Sequence, residues 1–155
     1  MLRAGEAAPD FTAMTTTGQE IRLNALRGRR VVLFFFPKAF TSGCTIETRQ
    51  FRDHYADIAA MGAEVIGVSV DRAQVQCDFA NKEGVSFPMI GDESRAISRA
   101  YDVLWPILNV TQRVTYIIGP DGRIEAVLHH ELLVHKHLAE VRNHLQNSAK
   151  RGAQS

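Results

Sequence analysis

With 155 residues, 45% of them apolar and 23% charged, the chain has the length and composition of one compact soluble domain and needs no second one. A formal net charge of +1, with basic and acidic residues interspersed, leaves no basic field for nucleic acid or a membrane surface. The opening MLRAGEAAPDF lacks the apolar run of a secretory signal, and no stretch approaches the roughly 20 apolar residues of a membrane span, so a cytoplasmic setting is expected.

Residues 11–14 and 21–23 flank a turn at Gly18 and predict a small N-terminal β-hairpin. Residues 31–36, VVLFFF, form a continuous apolar run that suits a strand covered on both faces, and Pro37, with no N–H to donate, ends its ladder. From Ser42 the pattern turns helical, with Phe51, Tyr55 and Ile58 on one face, until Met61-Gly62 stops it. Val65, Ile66, Val68 and Val70 read as a second buried strand, and Val75, Phe79 and Lys82 share one side of a helix that Asp71 is placed to cap. Gly84 and Pro88 punctuate the next connection, and residues 94–101 suit a short helix. Residues 114–118 and 124–128 surround Pro120-Asp121-Gly122, a strong turn signal, and form a β-hairpin. Val134, Leu138, Val141 and Leu145 line a last amphipathic helix; the serine, glycine and lysine beyond it suggest fraying, so the domain is read as 1–147 with a flexible tail over 148–155.

A parallel βαβ unit followed by a hairpin and a terminal helix belongs to the α/β class: a central mixed sheet flanked by helices, with an added N-terminal β-hairpin, in a thioredoxin-like arrangement. Sites in such sheets gather beyond the carboxyl ends of the strands, and there lies FFFPKAFTSGCTIE, residues 34–47. Cys44 falls in the opening turn of a helix, facing unpaired backbone N–H groups and the positive end of the macrodipole, which favour thiolate over thiol. Thr41 suits an N-cap or a hydroxyl that both donates and accepts beside the sulfur, while Phe36, Pro37 and Phe40 are placed to roof it with apolar surface. An inert buried thiol is the plain alternative for Cys44, and capping alone for Thr41. Two cysteines are too few for a disulfide scaffold, and neither CxxC nor HExxH occurs. His137 and His144 share one face of the last helix around Glu140, where a solvated surface is expected and no metal.

Pro37, Thr41 and Cys44 reproduce the spacing proline, three residues, threonine or serine, two residues, cysteine, and through it the sequence resembles the peroxiredoxins, thiol peroxidases of the thioredoxin superfamily. FFPKAFTSGCTIE, ending in Glu47, resembles more particularly the peroxiredoxin Q or bacterioferritin comigratory protein subfamily, and APDF, LRGRRVVLFFFPK, FRDHY, VIGVSVD, FPMIGD, AYDV and GPDGRI extend the likeness over nearly the whole chain. The resemblance implies that Cys44 attacks a peroxide oxygen and becomes sulfenic acid, that Thr41 orients the peroxide, that Arg113 in QRVTY supplies a guanidinium and that Glu47 holds it. From spacing alone, Arg113 would be a solvated surface residue and Glu47 a favourable charge in a first helical turn. No cofactor is implied. The implied substrates are hydrogen peroxide and organic hydroperoxides; the implied reductant is thioredoxin, glutaredoxin or a small thiol, and the implied state is a monomer, with a dimer as alternative. Many relatives carry a resolving cysteine five residues after the peroxidatic one, but Arg49 stands there, leaving Cys77 or an outside thiol to resolve the sulfenic acid. On an ideal helix Cys77 points roughly 200° from Val75, away from the core side, so it is expected to be accessible. A disulfide needs Cα atoms within about 7 Å, so local unwinding near Cys44 is expected as well. A one-cysteine peroxidase and a redox sensor relaying oxidation to a partner are the rival readings.

Overall fold

An unbroken apolar run of six residues belongs where a strand has neighbours on both sides and helices on both faces. The structure, a computed structural model, describes residues 1–130 and 135–153, with side chains as far as 148. In it β3 (Arg30–Phe35) is the central strand of a five-stranded sheet, parallel to β4 (Ala63–Ser69) and antiparallel to β6 (Val114–Ile118). With β5 (Met89–Gly91) and β7 (Ile124–His129) at the edges, the order is β5-β4-β3-β6-β7. Strand side chains alternate between faces. Val32, Phe34 and Phe36 therefore enter one core with Phe51, Ile58, Phe79, Phe87, Val141 and Leu145, while Val31, Leu33 and Phe35 enter another with Tyr101, Val103 and Tyr116. Phe34 stacks on Phe51 with ring centroids 4.6 Å apart, which fixes the first long helix against the sheet.

The small hairpin of β1 (Thr12–Met14) and β2 (Glu20–Arg22) forms a separate two-stranded sheet, as the turn at Gly18 predicts. The single helix expected from Ser42 is two, α1 (Ser42–Asp53) and α2 (Tyr55–Ala60), because the backbone leaves helical geometry at His54, φ −109° and ψ 9°. Contacts of Tyr55 with the ring of Phe87 and with Glu64 on β4 hold the second segment and override the continuous helical pattern. Strand β5 carries too few residues for a periodic signal and ends in glycine, a poor strand former. Gly91 is needed there, since a Cβ would lie 2.7 Å from the carbonyl oxygen of Asp71.

Two more helices complete the layers: α3 (Ala73–Glu83) and the short α4 (Ala96–Ala100). The cap expected from Asp71 is not made. Arg72 occupies the N-cap position of α3 without a side-chain bond, while the Asp71 carboxylate accepts from the Ala39 N–H at 2.7 Å and the Ser69 hydroxyl at 2.6 Å. It ties the loop after β3 to the end of β4. The last helix, α5 (His135–Ala153), packs Leu138, Val141 and Leu145 on the first core and continues beyond Leu145; Val134 lies outside the described residues.

Candidate active site

Antiparallel pairing of β3 with β6 sets Phe35 opposite Val114, so the residue entering β6, Arg113, lies beside the loop leaving β3. Thr111 strengthens the junction by donating its hydroxyl to the carbonyl of Phe36. Sheet register thus brings together Cys44 and Arg113, 69 positions apart, with Nη2 of Arg113 3.5 Å from Sγ of Cys44. Arg113 is only 6% exposed, so it is not the solvated residue that its position before a strand suggests.

Cys44 is the third residue of α1 and is 1% exposed, in the same apolar cluster as Phe36 and Ala39. Thr41 takes the N-cap position but does not cap with its side chain: the hydroxyl donates to the Lys38 carbonyl at 2.7 Å, while the Thr41 carbonyl accepts from the Thr45 N–H at 2.8 Å. The positive end of the helix is left without a side-chain cap on the turn that holds the sulfur. Pro37 is half-buried in the loop between. Phe40, at φ 66°, sits in the left-handed region, a conformation costing a non-glycine residue on the order of 1 kcal/mol. Its ring lies edge-on against Phe79 of α3, with centroids 5.2 Å apart; the residue is 46% exposed and stands outside the buried apolar cluster that holds Cys44, so it does not form the expected roof.

Glu47, one helical turn beyond Cys44, is fully buried, with Oε1 3.7 Å from Nη1 of Arg113 and Oε2 3.7 Å from Nε2 of His137. This is a held carboxylate, not a solvated charge at a helix start. His137 corrects the expectation of a solvated helix face: it is fully buried, with Nδ1 2.8 Å from the Thr115 hydroxyl and Nε2 3.0 Å from the His130 carbonyl. Its spacing to Val141 and Leu145, four and eight residues on, is the sequence signal that places it on the apolar side of α5. His144 is half-buried, with Nε2 2.9 Å from Glu125. Among the described residues no three metal-binding side chains gather.

Burial pushes the pKa of His137 down to about 4 from an ordinary 6.5, so the unfolded chain binds an additional proton between those values. Stability present above pH 6.5 is therefore lost as pH falls toward 4, by about 3 kcal/mol. Urea unfolding at about pH 7 and about pH 4.5 should show this as a lowered midpoint, and His137→Gln should narrow the difference; an unchanged difference would refute the burial of a neutral ring.

Cys77 stands apart. It is a half-buried free thiol on α3, outside the apolar cluster that holds Cys44. Arg49, five residues after Cys44, reaches across to α3: its Nε lies 2.6 Å from Oε2 of Glu83 and its Nη2 3.3 Å from Oε1. Arg52 adds a bond of 2.7 Å to the Glu83 carbonyl. The second half of α1 is clasped to the end of α3, whereas the first turn, with Cys44, lies outside the clasp.

Residues 4–127 match the AhpC/TSA family. Peroxiredoxin Bcp of Escherichia coli (strain K12) is 30% identical over 146 residues, covering 86% of this chain and 94% of that protein. Among solved structures, peroxidoxin BcpB of Mycobacterium tuberculosis is 28% identical, covers 95% of this chain and 98% of its own, and superposes with a TM-score of 0.87. Bacterioferritin comigratory protein of Xanthomonas campestris, described for alkyl peroxide reduction, is 27% identical, covers 92% of this chain and 99% of its own, and superposes with a TM-score of 0.81.

Proposed function

The chain belongs to the AhpC/TSA family and is a peroxiredoxin, a thiol-dependent peroxidase of thioredoxin-like fold, and from that premise we propose that Cys44 is its peroxidatic nucleophile and Arg113 the cation that serves it. The observation that carries this reading is the contact of 3.5 Å between Nη2 and Sγ, made in a buried setting at an uncapped helix start. Cys44 thiolate attacks one oxygen of ROOH; the S–O bond forms as the O–O bond breaks, and RO⁻ takes up a proton and leaves as ROH, giving Cys44 sulfenic acid. The guanidinium faces the charge passing from sulfur to the departing oxygen. Because the Thr41 hydroxyl donates to Lys38, its lone pairs remain to accept the peroxide O–H, which orients the O–O bond. Pro37 offers no competing N–H, and Glu47 holds Arg113 from behind.

Peroxide and a thiol reductant are the general partners of the family. Hydrogen peroxide and organic hydroperoxides are both proposed as substrates; the partly exposed Phe40, next to Thr41, and the alkyl peroxide reduction described for the Xanthomonas relative support the second. Cys77 is proposed as the resolving thiol, attacking the sulfenic acid to give a disulfide and water, with thioredoxin or glutaredoxin restoring both thiols. The clasp on Glu83 confines the necessary opening to the first turn of α1 and the neighbouring part of α3. A monomer in the cytoplasm is the proposed working state, and light scattering distinguishes it from a dimer.

After one equivalent of peroxide, mass spectrometry without reductant should find a Cys44–Cys77 linked peptide. Sulfenic acid persisting on Cys44 with no such link would leave the nucleophile in place and establish a one-cysteine cycle. Oxidation confined to Cys77 would overturn the reading.

A further inference from the structure

The contacts around the thiol continue inward past Glu47 to a ring with no part in the reaction just described. His137 is fully buried on α5, and both of its nitrogens are engaged. A carbonyl oxygen only accepts, so the 3.0 Å contact to His130 puts a hydrogen on Nε2; burial keeps the ring neutral above about pH 4, so Nδ1 accepts from the Thr115 hydroxyl at 2.8 Å. The ring is fixed in one tautomer and one orientation, and it is neutral. Its Nε2 edge is 3.7 Å from one oxygen of Glu47, whose other oxygen is 3.7 Å from Arg113.

We propose that His137 is a positioning residue for the peroxide step: through Glu47 it sets the guanidinium of Arg113 against the sulfur of Cys44. The inference rests on the roles given to Cys44 and Arg113 above. With Arg113 at one oxygen and His137 at the other, the carboxylate has less freedom to turn about its last bond and carry its cation with it. The neutral state of the ring matters, because an imidazolium would draw the carboxylate to itself and repel Arg113, whereas an N–H edge bounds the carboxylate without competing for it. Thr115 lies in β6 two residues after Arg113, which enters that strand, so extended alternation places both on one face. The start of one strand thereby supplies both the cation and the hydroxyl that fixes the ring. When attack converts thiolate to sulfenic acid, the sulfur's hold on Arg113 weakens, and the bounded carboxylate keeps the guanidinium in place for the next turnover.

Three variants test this, with the peroxide step followed by stopped flow and kcat/KM for a dithiol measured separately. His137→Phe keeps a ring but loses both nitrogens, His137→Gln returns an N–H near the place of Nε2, and Thr115→Val removes only the orienting hydroxyl. The second-order constant for hydrogen peroxide should fall about ten-fold in His137→Phe and about three-fold in Thr115→Val, recover to within about three-fold of wild type in His137→Gln, and leave the dithiol constant unchanged. Wild-type peroxide constants in folded His137→Phe, equal losses in both constants, or no advantage of Gln over Phe would overturn it. Should His137→Phe not fold, Thr115→Val decides: a loss in the peroxide constant alone supports the proposal and no loss overturns it. Cys44→Ser separates the two readings, since retained turnover there removes the site itself, while its abolition alongside a wild-type His137→Phe removes only the role of His137.

Discussion

Cys44→Ser is expected to abolish peroxide turnover, with the remaining rate about a thousand-fold or more below wild type. The reaction needs an anionic nucleophile, and serine's hydroxyl stays protonated where a thiol can ionise; the family cycle also needs an atom that can carry the transferred oxygen and then exchange it for a second sulfur. The fold should tolerate the change. Oxygen is smaller than sulfur and the side chain lies at the end of a helix turn against Ala39 and Phe36, so the cost is about 1 kcal/mol, from lost packing and a partly desolvated hydroxyl. Peroxide consumption with a dithiol donor and a thermal melt therefore separate the two effects: activity gone, melting nearly unchanged. Cys77→Ser serves as the contrast. It should react once with peroxide at the wild-type rate and then stall unless a small thiol is supplied, because the resolving role proposed for Cys77 belongs to the second half of the cycle alone. Turnover retained in Cys44→Ser would move the nucleophile elsewhere.

How much of this is legible in the chain depends on the range over which each feature is encoded. Local features read well: the run VVLFFF supplies all but the first residue of the central strand, the hairpin around Pro120-Asp121-Gly122 has the expected arms, and Cys44 stands in the opening turn of a helix. Features that need two segments read poorly. Nothing near Arg113 distinguishes it from a surface arginine before a strand; it is buried because β6 pairs with β3 in a register that sets Val114 against Phe35, and it was the likeness to a family that singled it out. Asp71 has the look of a cap but serves the loop at Ala39, since a tertiary N–H at 2.7 Å outcompetes the local one. His137 was open to detection from its four-residue spacing to Val141, but the polar residues around it on α5 hide the apolar stripe. The proposed resolver is the feature that local pattern leaves most open, because the disulfide proposed between α1 and α3 would depend on a conformational change and not on contacts in the folded state.

Arg113→Met is expected to lower the second-order constant for peroxide by about a hundred-fold or more, and Arg113→Lys by roughly ten-fold or more, with Cys44 still able to form sulfenic acid at high peroxide. The geometry gives the reason for the ranking. One nitrogen of the guanidinium meets Sγ at 3.5 Å while another meets Glu47 at 3.7 Å, so a planar fork spans two partners that a single ammonium cannot hold at once. Lysine keeps the charge and loses the span; methionine loses both and strands a buried carboxylate, which should cost about 3 kcal/mol of stability. That second penalty can be removed independently. In the double variant Arg113→Met with Glu47→Gln, the stranded charge is gone, so the melting temperature should recover most of the loss while the peroxide constant stays at the level of Arg113→Met. Stability and rate would then part company, marking the ion pair as an arrangement kept for the reaction and not for the fold. If rate returned together with stability, the guanidinium would be shown to act only by keeping the structure intact, and the charge it offers the peroxide would have no catalytic part.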